Sequence, residues 1–236
     1  MQLSIFCDFD DTITMQDVGN AMFQTFGDYH KYWNEYINGK YSCRELNIKL
    51  CNSIPAAITK EIITNFALSQ EVDAYFVNFV NYCHSNNYNF TIVSDGYDIY
   101  INPIINSLNL INNPKIYCNK MLYIDNKFIP KFFGSVESCT CSTASCKRNV
   151  VLNNSADDDI LVYIGDGMTD FCAAEHCDII FAKKQLAHYC NENKIPHYPF
   201  RSFFDIQRIL EQLVKTKKLK KRNQAHIKRK NAFEAE

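Results

Sequence analysis

Three short apolar segments of the sequence are each followed by side chains that could hold a cation or donate hydrogen bonds. Residues 8–12, Asp-Phe-Asp-Asp-Thr, follow the first segment, and residues 94–96, Ser-Asp-Gly, follow the second. Residues 165–170, Gly-Asp-Gly-Met-Thr-Asp, follow the third. Ligands of open parallel sheets bind where the carboxyl ends of the strands meet. We therefore expect these three groups to lie together at one edge of a sheet.

Such a convergence would place the carboxylates of Asp8, Asp10 and Asp166 close together. Like charges at short range raise each other's pKa and destabilise the fold unless a cation neutralises them. An all-oxygen site of this kind suits Mg²⁺. The alternative is that these acids only cap helix N-termini, where Asp is favoured. Acid clusters after two strands, with Ser94 after a third, are more than capping requires.

The pattern of the remaining chain predicts the elements that would position these groups. Short apolar segments alternate with helical ones, which indicates a doubly wound, mostly parallel α/β sheet covered on both faces. The predicted strands are residues 3–7, 90–93, 160–164 and 179–181. Residues 116–129 are predicted to form a β-hairpin with Asp125 and Asn126 at its turn.

The long segment between the first two strands has a helical pattern. Its apolar residues recur at steps of three and four, as in residues 72–83. The segment is too long for a simple crossover connection. We therefore predict an α/β core from residues 1–14 and 87–214, an inserted helical cap from residues 15–86, and a basic, flexible tail from residues 215–236.

Taken together, the motifs resemble the signature of the haloacid dehalogenase superfamily of phosphotransferases. Residues 8–12 match its Asp-x-Asp-x-Thr motif, Ser94 its second motif and Lys147 its third, and residues 165–170 resemble its acidic fourth motif. All four occur in the order that the family shows. The resemblance implies the superfamily's Rossmann-like fold and a Mg²⁺-dependent phosphatase acting on a small phosphate ester.

The resemblance also implies a role for each acid. Asp8 would attack the phosphorus atom and form an aspartyl phosphate, and Asp10 would protonate the leaving alcohol. Asp8, the backbone carbonyl of Asp10, and Asp166 would hold Mg²⁺. Asp170 would hold either Lys147 or a metal-bound water.

A second group of residues would bind the phosphate through hydroxyl groups, backbone amides and one ammonium group. These residues are Thr12, Ser94, Asp95, Gly96 and Lys147.

A finer resemblance concerns the insertion and the segments around residues 94–98, 139–147 and 178–182. It is to the phosphoserine phosphatase-like branch, and within it to a group containing 2-hydroxy-3-keto-5-methylthiopentenyl-1-phosphate phosphatase and the phosphocholine/phosphoethanolamine phosphatases. One departure is Asp11, where the family often has Gly; we expect this acid to face solvent.

Two residues of the predicted cap are candidates for substrate contact. Asp17 lies nine residues after Asp8, where the serine phosphatases carry an acid that meets the substrate amine. Arg44 could reach a polar group of the substrate. A surface ion pair between Arg44 and a neighbouring acid is an equally good interpretation.

The chain has 11 cysteines, most of them in apolar surroundings typical of core residues. The exceptions are Cys139, Cys141 and Cys146, which crowd into one loop. Three thiols are one short of a closed zinc site, and their spacing lacks the usual Cys-x2-Cys pair. The sequence leaves open a structural loop and a metal or redox site. A zinc site would need a fourth ligand from elsewhere, a thiol or a His.

Composition and charge limit the remaining possibilities. The chain of 236 residues is 47% hydrophobic and 22% charged, which is typical of a globular protein. No apolar run approaches the ~18–20 residues of a bilayer-spanning helix, and the N-terminus does not resemble a signal peptide. The sequence thus predicts a cytoplasmic protein with no membrane partner.

Residues 215–230 contain nine Lys or Arg, so residues 215–236 carry a net charge of +7 and residues 1–214 carry −8. The run is typical of a solvated, frayed extension. A nucleic-acid partner is disfavoured because the tail has a single aromatic residue, Phe233, on which bases could stack.

The leading hypothesis is therefore a Mg²⁺-dependent phosphomonoesterase. A phosphomutase would retain the aspartyl phosphate and transfer it, so release of free phosphate separates the two. A phospho-acceptor signalling domain also uses an Asp, a Ser or Thr, a Lys and Mg²⁺, but needs no second Asp two residues after the first and no cap. The sequence leaves the substrate and the oligomeric state open.

Overall fold

A seven-stranded sheet organises the molecule. We describe it from a computed structural model that covers residues 2–133, 139, 141 and 143–234. The predicted core and tail also include residues 1, 134–138, 140, 142, 235 and 236, which lie outside the described residues. In chain order the elements are β1 (Leu3–Cys7), α1 (Val18–Phe26), α2 (Tyr29–Ile37), α3 (Cys43–Ser53), α4 (Lys60–Leu68), α5 (Phe76–Ser85), β2 (Asn89–Tyr97), α6 (Asp98–Ser107), β3 (Lys115–Ile124), β4 (Lys127–Lys131), α7 (Lys147–Asn153), β5 (Ile160–Gly165), α8 (Phe171–Glu175), β6 (Ile179–Ala182), α9 (Lys184–Glu192), β7 (Tyr198–Pro199), α10 (Phe203–Lys215) and α11 (Asn223–Glu234).

The strand order confirms the predicted doubly wound α/β fold. The sheet runs β4-β3-β2-β1-β5-β6-β7, and every neighbouring pair is parallel except β3 and β4. Strand β1 is buried along its whole length, as a central parallel strand requires. The predicted hairpin is also present, and both turn residues, Asp125 and Asn126, have positive φ, as a two-residue hairpin turn demands.

The register brings the three sequence motifs to the same edge. Cys7 pairs with Ile92 on one side and with Ile164 on the other. The residues that follow these three positions therefore emerge side by side at the carboxyl end of the sheet. Strand β2 continues beyond the predicted end at residue 93, with an irregularity in its pairing between Val93 and Tyr97.

The two ends of the helical insertion are pinned to each other. Thr14 and Val72 form an isolated antiparallel bridge, and Met15 N donates to Glu71 O at 2.9 Å. Helix α5, by contrast, packs its Phe76 ring 5.1 Å from the ring of Phe203 in α10. These contacts favour a cap that ends near residue 72, shorter than the predicted range 15–86.

Among the described residues, no helix combines the length and the apolar character that a membrane crossing would require.

The basic tail differs from the frayed extension that its charge suggested. Residues of α11 dock on the core, with Ala225 fully buried and Arg229 only 9% exposed. Arg229 Nη2 lies 3.1 Å from the buried carboxylate of Asp178. The Arg222 guanidinium donates to the carbonyls of Ala174, Glu175 and Cys177 at 2.8–3.0 Å. Part of the positive charge therefore serves internal contacts, which a charge count along the sequence does not reveal.

Replacing Arg229 with Met should lower the free energy of unfolding by about 3 kcal/mol, because the Asp178 carboxylate then stays buried without its guanidinium partner. Urea unfolding followed by circular dichroism measures this change. Lys230→Met, at an exposed position of the same helix, is the matched control and should change stability by less than about 0.5 kcal/mol. Equal stabilities of the two variants would contradict a docked α11.

Candidate active site

A buried ion-pair network lies where β1, α7 and α8 meet. Lys147, the first residue of α7, is 2% exposed, and its Nζ donates to Asp8 Oδ1 at 2.6 Å and to Asp170 Oδ1 at 2.7 Å. Burial opposes the charge on Lys147, but Asp170 and Asp8 outweigh it and raise the pKa of the ammonium. Of the two partners that the sequence offered for Asp170, the structure shows Lys147.

Asp170 is held by three further donors. Its Oδ2 accepts from the backbone N–H groups of Asp166 at 2.9 Å and Gly167 at 3.0 Å. The hydroxyl of Tyr163 donates to its Oδ1 at 2.8 Å. Tyr163 lies within β5, and nothing in the sequence pattern distinguished it from an ordinary core residue. Its contact fixes the carboxylate that in turn holds Lys147.

Three carboxylates converge around one ammonium group. Oxygens of Asp8, Asp166 and Asp170 all lie within 4.8 Å of one another. Burial is the main cause that raises the pKa of Asp8 well above its usual value and that of Asp166 to about 7, and Asp170 adds to both. With all three acids ionised, the cluster carries two negative charges more than Lys147 neutralises. Such a hard oxygen donor set fits Mg²⁺.

Thr12 completes this side of the site. Its hydroxyl is buried and donates to Asp166 Oδ1 at 3.3 Å. Asp11, the departure from the resembled motif, has a φ of 57° and pairs with Lys184. Asp11 is therefore partly exposed and turned toward α9, outside the three-carboxylate cluster.

The cluster differs from the predicted convergence of Asp8, Asp10 and Asp166, because Asp170 belongs to it and the Asp10 carboxylate lies in a separate hydrogen-bond network. Its Oδ1 accepts from the backbone N–H of Val18 at 2.9 Å and of Gly19 at 3.3 Å, at the start of α1. Its Oδ2 accepts from the hydroxyl of Tyr100 at 2.8 Å. Burial, with a smaller contribution from Asp17, raises the pKa of Asp10 to about 7. A carboxyl group with such a pKa can both give and take a proton near neutral pH.

Gly96 and Ser94 lie beside Asp10. The Ser94 hydroxyl accepts from Gly96 N at 2.9 Å and lies 3.4 Å from Asp10 Oδ2. A Cβ at position 96 would collide with the Tyr100 hydroxyl and lie 2.6 Å from Asp10 Oδ2. Glycine is therefore required here so that Tyr100 can reach Asp10. Tyr100 is a site residue that sequence reasoning missed, since it lies inside α6 with no motif around it.

The side chain of Asp95 has a role other than the predicted phosphate contact. Its Oδ1 accepts from Ser145 N at 2.9 Å and from the Asn119 amide at 3.0 Å, and its Oδ2 accepts from Ala144 N at 3.1 Å. A carboxylate would also repel a phosphate group. Asp95 thus stabilises the segment that leads into Lys147.

A cavity of about 780 Å³ opens between these groups and helices α1–α3. Its catalytic-edge wall includes Asp8, Asp10 and Lys147, while Phe23, Trp33, Leu46 and Leu50 line the wall formed by the insertion. None of the described residues that line it from the insertion is a Lys or Arg. Asp17, Asn20 and Asn47 also line the wall formed by the insertion, so the cavity joins a charged floor to a roof that is apolar in part.

The two predicted specificity residues have different positions. Asp17 lines the cavity and caps α1, with its Oδ1 accepting from Asn20 N at 2.6 Å. Arg44 Nε instead donates to the carbonyl of Ala144 at 2.8 Å, and its guanidinium lies over the ring of Phe132. A substrate contact and an ion pair with an acid, the two predicted roles of Arg44, both stay predictions. Arg44 links the insertion to the segment that precedes Lys147.

Cys139, Cys141 and Cys172 also line this cavity. The Sγ atoms of Cys139, Cys141 and Cys146 lie within 4.8 Å of one another and of the Sγ atom of Cys172 in α8. Cys172 went unnoticed in the sequence because 25 residues separate it from Cys146. The feature of the sequence that could have indicated Cys172 is its position two residues after Asp170.

Comparison with known proteins adds to this geometry. Residues 5–175 match the family model described as haloacid dehalogenase-like hydrolase. A 2-hydroxy-3-keto-5-methylthiopentenyl-1-phosphate phosphatase from Bacillus cereus is 31% identical over 221 residues, which cover 92% of this chain and 100% of the relative. The enzyme of the same name from Bacillus cytotoxicus is 29% identical over 223 residues, with the same coverage.

Solved structures give the same fold. A substrate-bound phosphoserine phosphatase aligns with a TM-score of 0.66 at 16% identity, covering 89% of this chain and 98% of that one. A phosphoserine phosphohydrolase-like protein from Francisella tularensis aligns with a TM-score of 0.61 at 19% identity, covering 89% and 99%. Given the motif order, the sheet topology and the match over residues 5–175, this chain belongs to the haloacid dehalogenase-like hydrolase family.

Proposed function

We propose that this protein is a Mg²⁺-dependent phosphatase that hydrolyses a small phosphate monoester through an aspartyl phosphate on Asp8. The observation that carries the proposal is the buried contact of Asp8 with Lys147, 2.6 Å apart, on the floor of a cavity. Two further buried acids adjoin this pair, and the relatives at about 30% identity bear the names of phosphatases.

The nucleophile is already oriented. Asp8 Oδ1 accepts from Lys147 Nζ and, at 2.7 Å, from Phe9 N. Among the described residues, the hydrogen bonds to this carboxylate converge on Oδ1, which leaves Oδ2 to attack the phosphorus atom. Holding the attacking group in place removes part of the entropic barrier to the reaction.

Positive charge must balance the phosphate and the acids around it. Asp8, Asp166 and the backbone carbonyl of Asp10 would hold Mg²⁺, which supplies the charge that neutralises the phosphoryl oxygens and orients them. Lys147 adds a fixed charge at the nucleophile. Thr12 and Ser94 contribute hydroxyl groups, and the absence of a side chain at Gly96 lets Tyr100 reach Asp10.

Asp10 acts first as the general acid and then as the general base of the reaction. In its neutral form, it donates a proton to the alkoxide that leaves when Asp8 displaces it. The resulting Asp10 carboxylate then takes a proton from the water that attacks the aspartyl phosphate, which releases phosphate and restores Asp8. The contacts from Tyr100 and from Val18 N hold Asp10 in position for both steps.

Asp8→Asn should abolish turnover because an amide cannot form the acyl phosphate, while the fold should persist because one repulsive charge is removed from the cluster. Release of inorganic phosphate in the presence of Mg²⁺ and thermal unfolding measure the two effects. Asp158→Asn, in an exposed loop, is the control and should keep wild-type turnover. Retained phosphate release by Asp8→Asn would overturn the proposal, and transfer of phosphate without release would indicate a phosphomutase.

Asp10→Asn should reduce kcat by about 10²–10⁴-fold on an alkyl phosphate, whose alcohol needs a proton to leave. The loss should be much smaller on p-nitrophenyl phosphate, whose leaving group is stable as an anion. Steady-state kinetics on both substrates with Mg²⁺ give the comparison. Equal losses on the two substrates would contradict the role of Asp10 as the acid.

For the substrate, we propose a phosphate ester with an uncharged, largely apolar tail. Phe23, Trp33, Leu46 and Leu50 supply an apolar wall opposite the charged floor. A substrate carboxylate, such as that of phosphoserine, would find no Lys or Arg among the described lining residues of the insertion. The relatives named as 2-hydroxy-3-keto-5-methylthiopentenyl-1-phosphate phosphatases act, by that name, on an ester of the proposed kind.

Phosphocholine is the second candidate, because Asp17 and the rings of Trp33 and Tyr36 all line the cavity. Aromatic faces and a carboxylate together attract a quaternary ammonium group.

The variant Asp17→Asn distinguishes a substrate with an uncharged tail from phosphocholine, whose tail carries a quaternary ammonium group. Asn still caps a helix, so α1 should persist while the charge is lost. The kcat/KM for 2-hydroxy-3-keto-5-methylthiopentenyl-1-phosphate should exceed that for phosphoserine at least tenfold and change little in Asp17→Asn. If phosphocholine is instead the preferred substrate of the wild-type enzyme and loses tenfold or more in the variant, the proposed uncharged tail is wrong.

A further inference from the structure

Four thiols form a cluster that the proposed hydrolysis does not use. The Sγ atoms of Cys139, Cys141, Cys146 and Cys172 all lie within 4.8 Å of one another. The Sγ atoms of Cys139 and Cys172 lie 3.2 Å apart. The cluster joins two separate parts of the chain, since Cys172 belongs to α8 and the other three belong to the segment before α7.

The cluster differs from the other cysteines of the chain. Cys7, Cys83 and Cys177 are fully buried as single residues among apolar neighbours, where a thiol acts as a small core side chain. Three of the four clustered thiols, those of Cys139, Cys141 and Cys172, are only partly buried. Packing alone gives no reason to bring four of them together.

We propose that these four cysteines bind one Zn²⁺ as thiolates in a closed, tetrahedral structural site. A Zn–S bond of about 2.3 Å places tetrahedral sulfur atoms about 3.8 Å apart, which falls within the span of the cluster. Four soft sulfur ligands select zinc over Mg²⁺, which prefers oxygen. The fourth ligand, Cys172, is the one that the loop sequence lacked.

Such a site would act on the ion-pair network through two short connections. Cys146 immediately precedes Lys147, and Cys172 lies two residues after Asp170. Zinc would thus tie together the two segments that carry the 2.7 Å contact between Lys147 and Asp170. The cluster cysteines are positioning residues, because they act on Lys147 and Asp170 and not on the substrate.

The experiment measures zinc in the full-length chain, purified without a metal-affinity tag, by elemental analysis. We expect about one Zn²⁺ per chain in the wild-type protein and its loss in Cys172→Ser. Cys118→Ser, at a partly buried thiol of β3 outside the cluster, is the matched control and should retain zinc. Replacing zinc with Co²⁺ should give the visible absorption of tetrahedral cobalt thiolate in the wild type and in Cys118→Ser only.

A second measurement separates positioning from simple loss of fold. Because Cys172→Ser should lack zinc, its kcat with Mg²⁺ should be at least tenfold lower than that of the wild type, while KM changes little. Both proteins are measured below the temperature at which the variant unfolds. Even a displacement of ~1 Å in a catalytic group can cost about a hundredfold in rate. Wild-type kcat in Cys172→Ser would overturn the positioning role.

The zinc site itself would be overturned by a wild-type protein that holds far less than one Zn²⁺ after incubation with the metal. Detection of a disulfide within the cluster of the native protein, or equal zinc in Cys172→Ser and the wild type, would also overturn it. The test does not depend on the proposed function, because the inactive Asp8→Asn variant should contain as much zinc as the wild type.

Discussion

The contact of Lys147 with Asp8 and Asp170 is the interaction on which the site depends. Removing a single charged group from water costs several kcal/mol, and all three of these groups are buried. The ammonium lies 2.6 Å from one carboxylate and 2.7 Å from the other, so each charge has a partner at hydrogen-bond distance. Asp166, beside them, lacks a comparable cationic partner among the described contacts. The fold therefore leaves an excess of buried negative charge that a bound cation would neutralise.

Much of the surrounding structure holds Lys147 in place. Asp95 accepts from the backbone of Ala144 and Ser145, just before α7, and Asn119 from β3 supports Asp95. Arg44 reaches the same segment from the insertion and donates to the Ala144 carbonyl. The segment before Lys147 is thus fixed by the sheet from one side and by helix α3 from the other. Any movement of the insertion that breaks the Arg44 contact would also loosen the support of Lys147.

The sequence was most informative where the chemistry repeats a local pattern. Polar residues after apolar strands predicted that residues 8–12, 94–96 and 165–170 would emerge at one edge of the sheet, as the register of the strands shows. This prediction depends on residues close in sequence to strand ends. The strand β7, with only two residues, has no periodic pattern and was not predicted.

Contacts between distant segments were not predictable in this way. The side chains of Asp95 and Arg44 contact backbone groups about 50 and 100 residues away, and no local pattern of the sequence indicates these partners. Tyr100 and Tyr163 look like core aromatic residues, and only the three-dimensional fold shows that their hydroxyls reach Asp10 and Asp170.

The basic tail has its structural explanation in the short helix α8. A helix of five residues is not stable alone, so both of its ends need support. Asp170 directly precedes the helix, and its carboxylate accepts from the backbone of Asp166 and Gly167 in the turn that leads into it. At its end, the guanidinium of Arg222 donates to the carbonyls of Ala174 and Glu175 in the last turn, a favourable place for a cation. The tail therefore stabilises the helix that follows Asp170, the residue whose carboxylate accepts from the buried ammonium of Lys147.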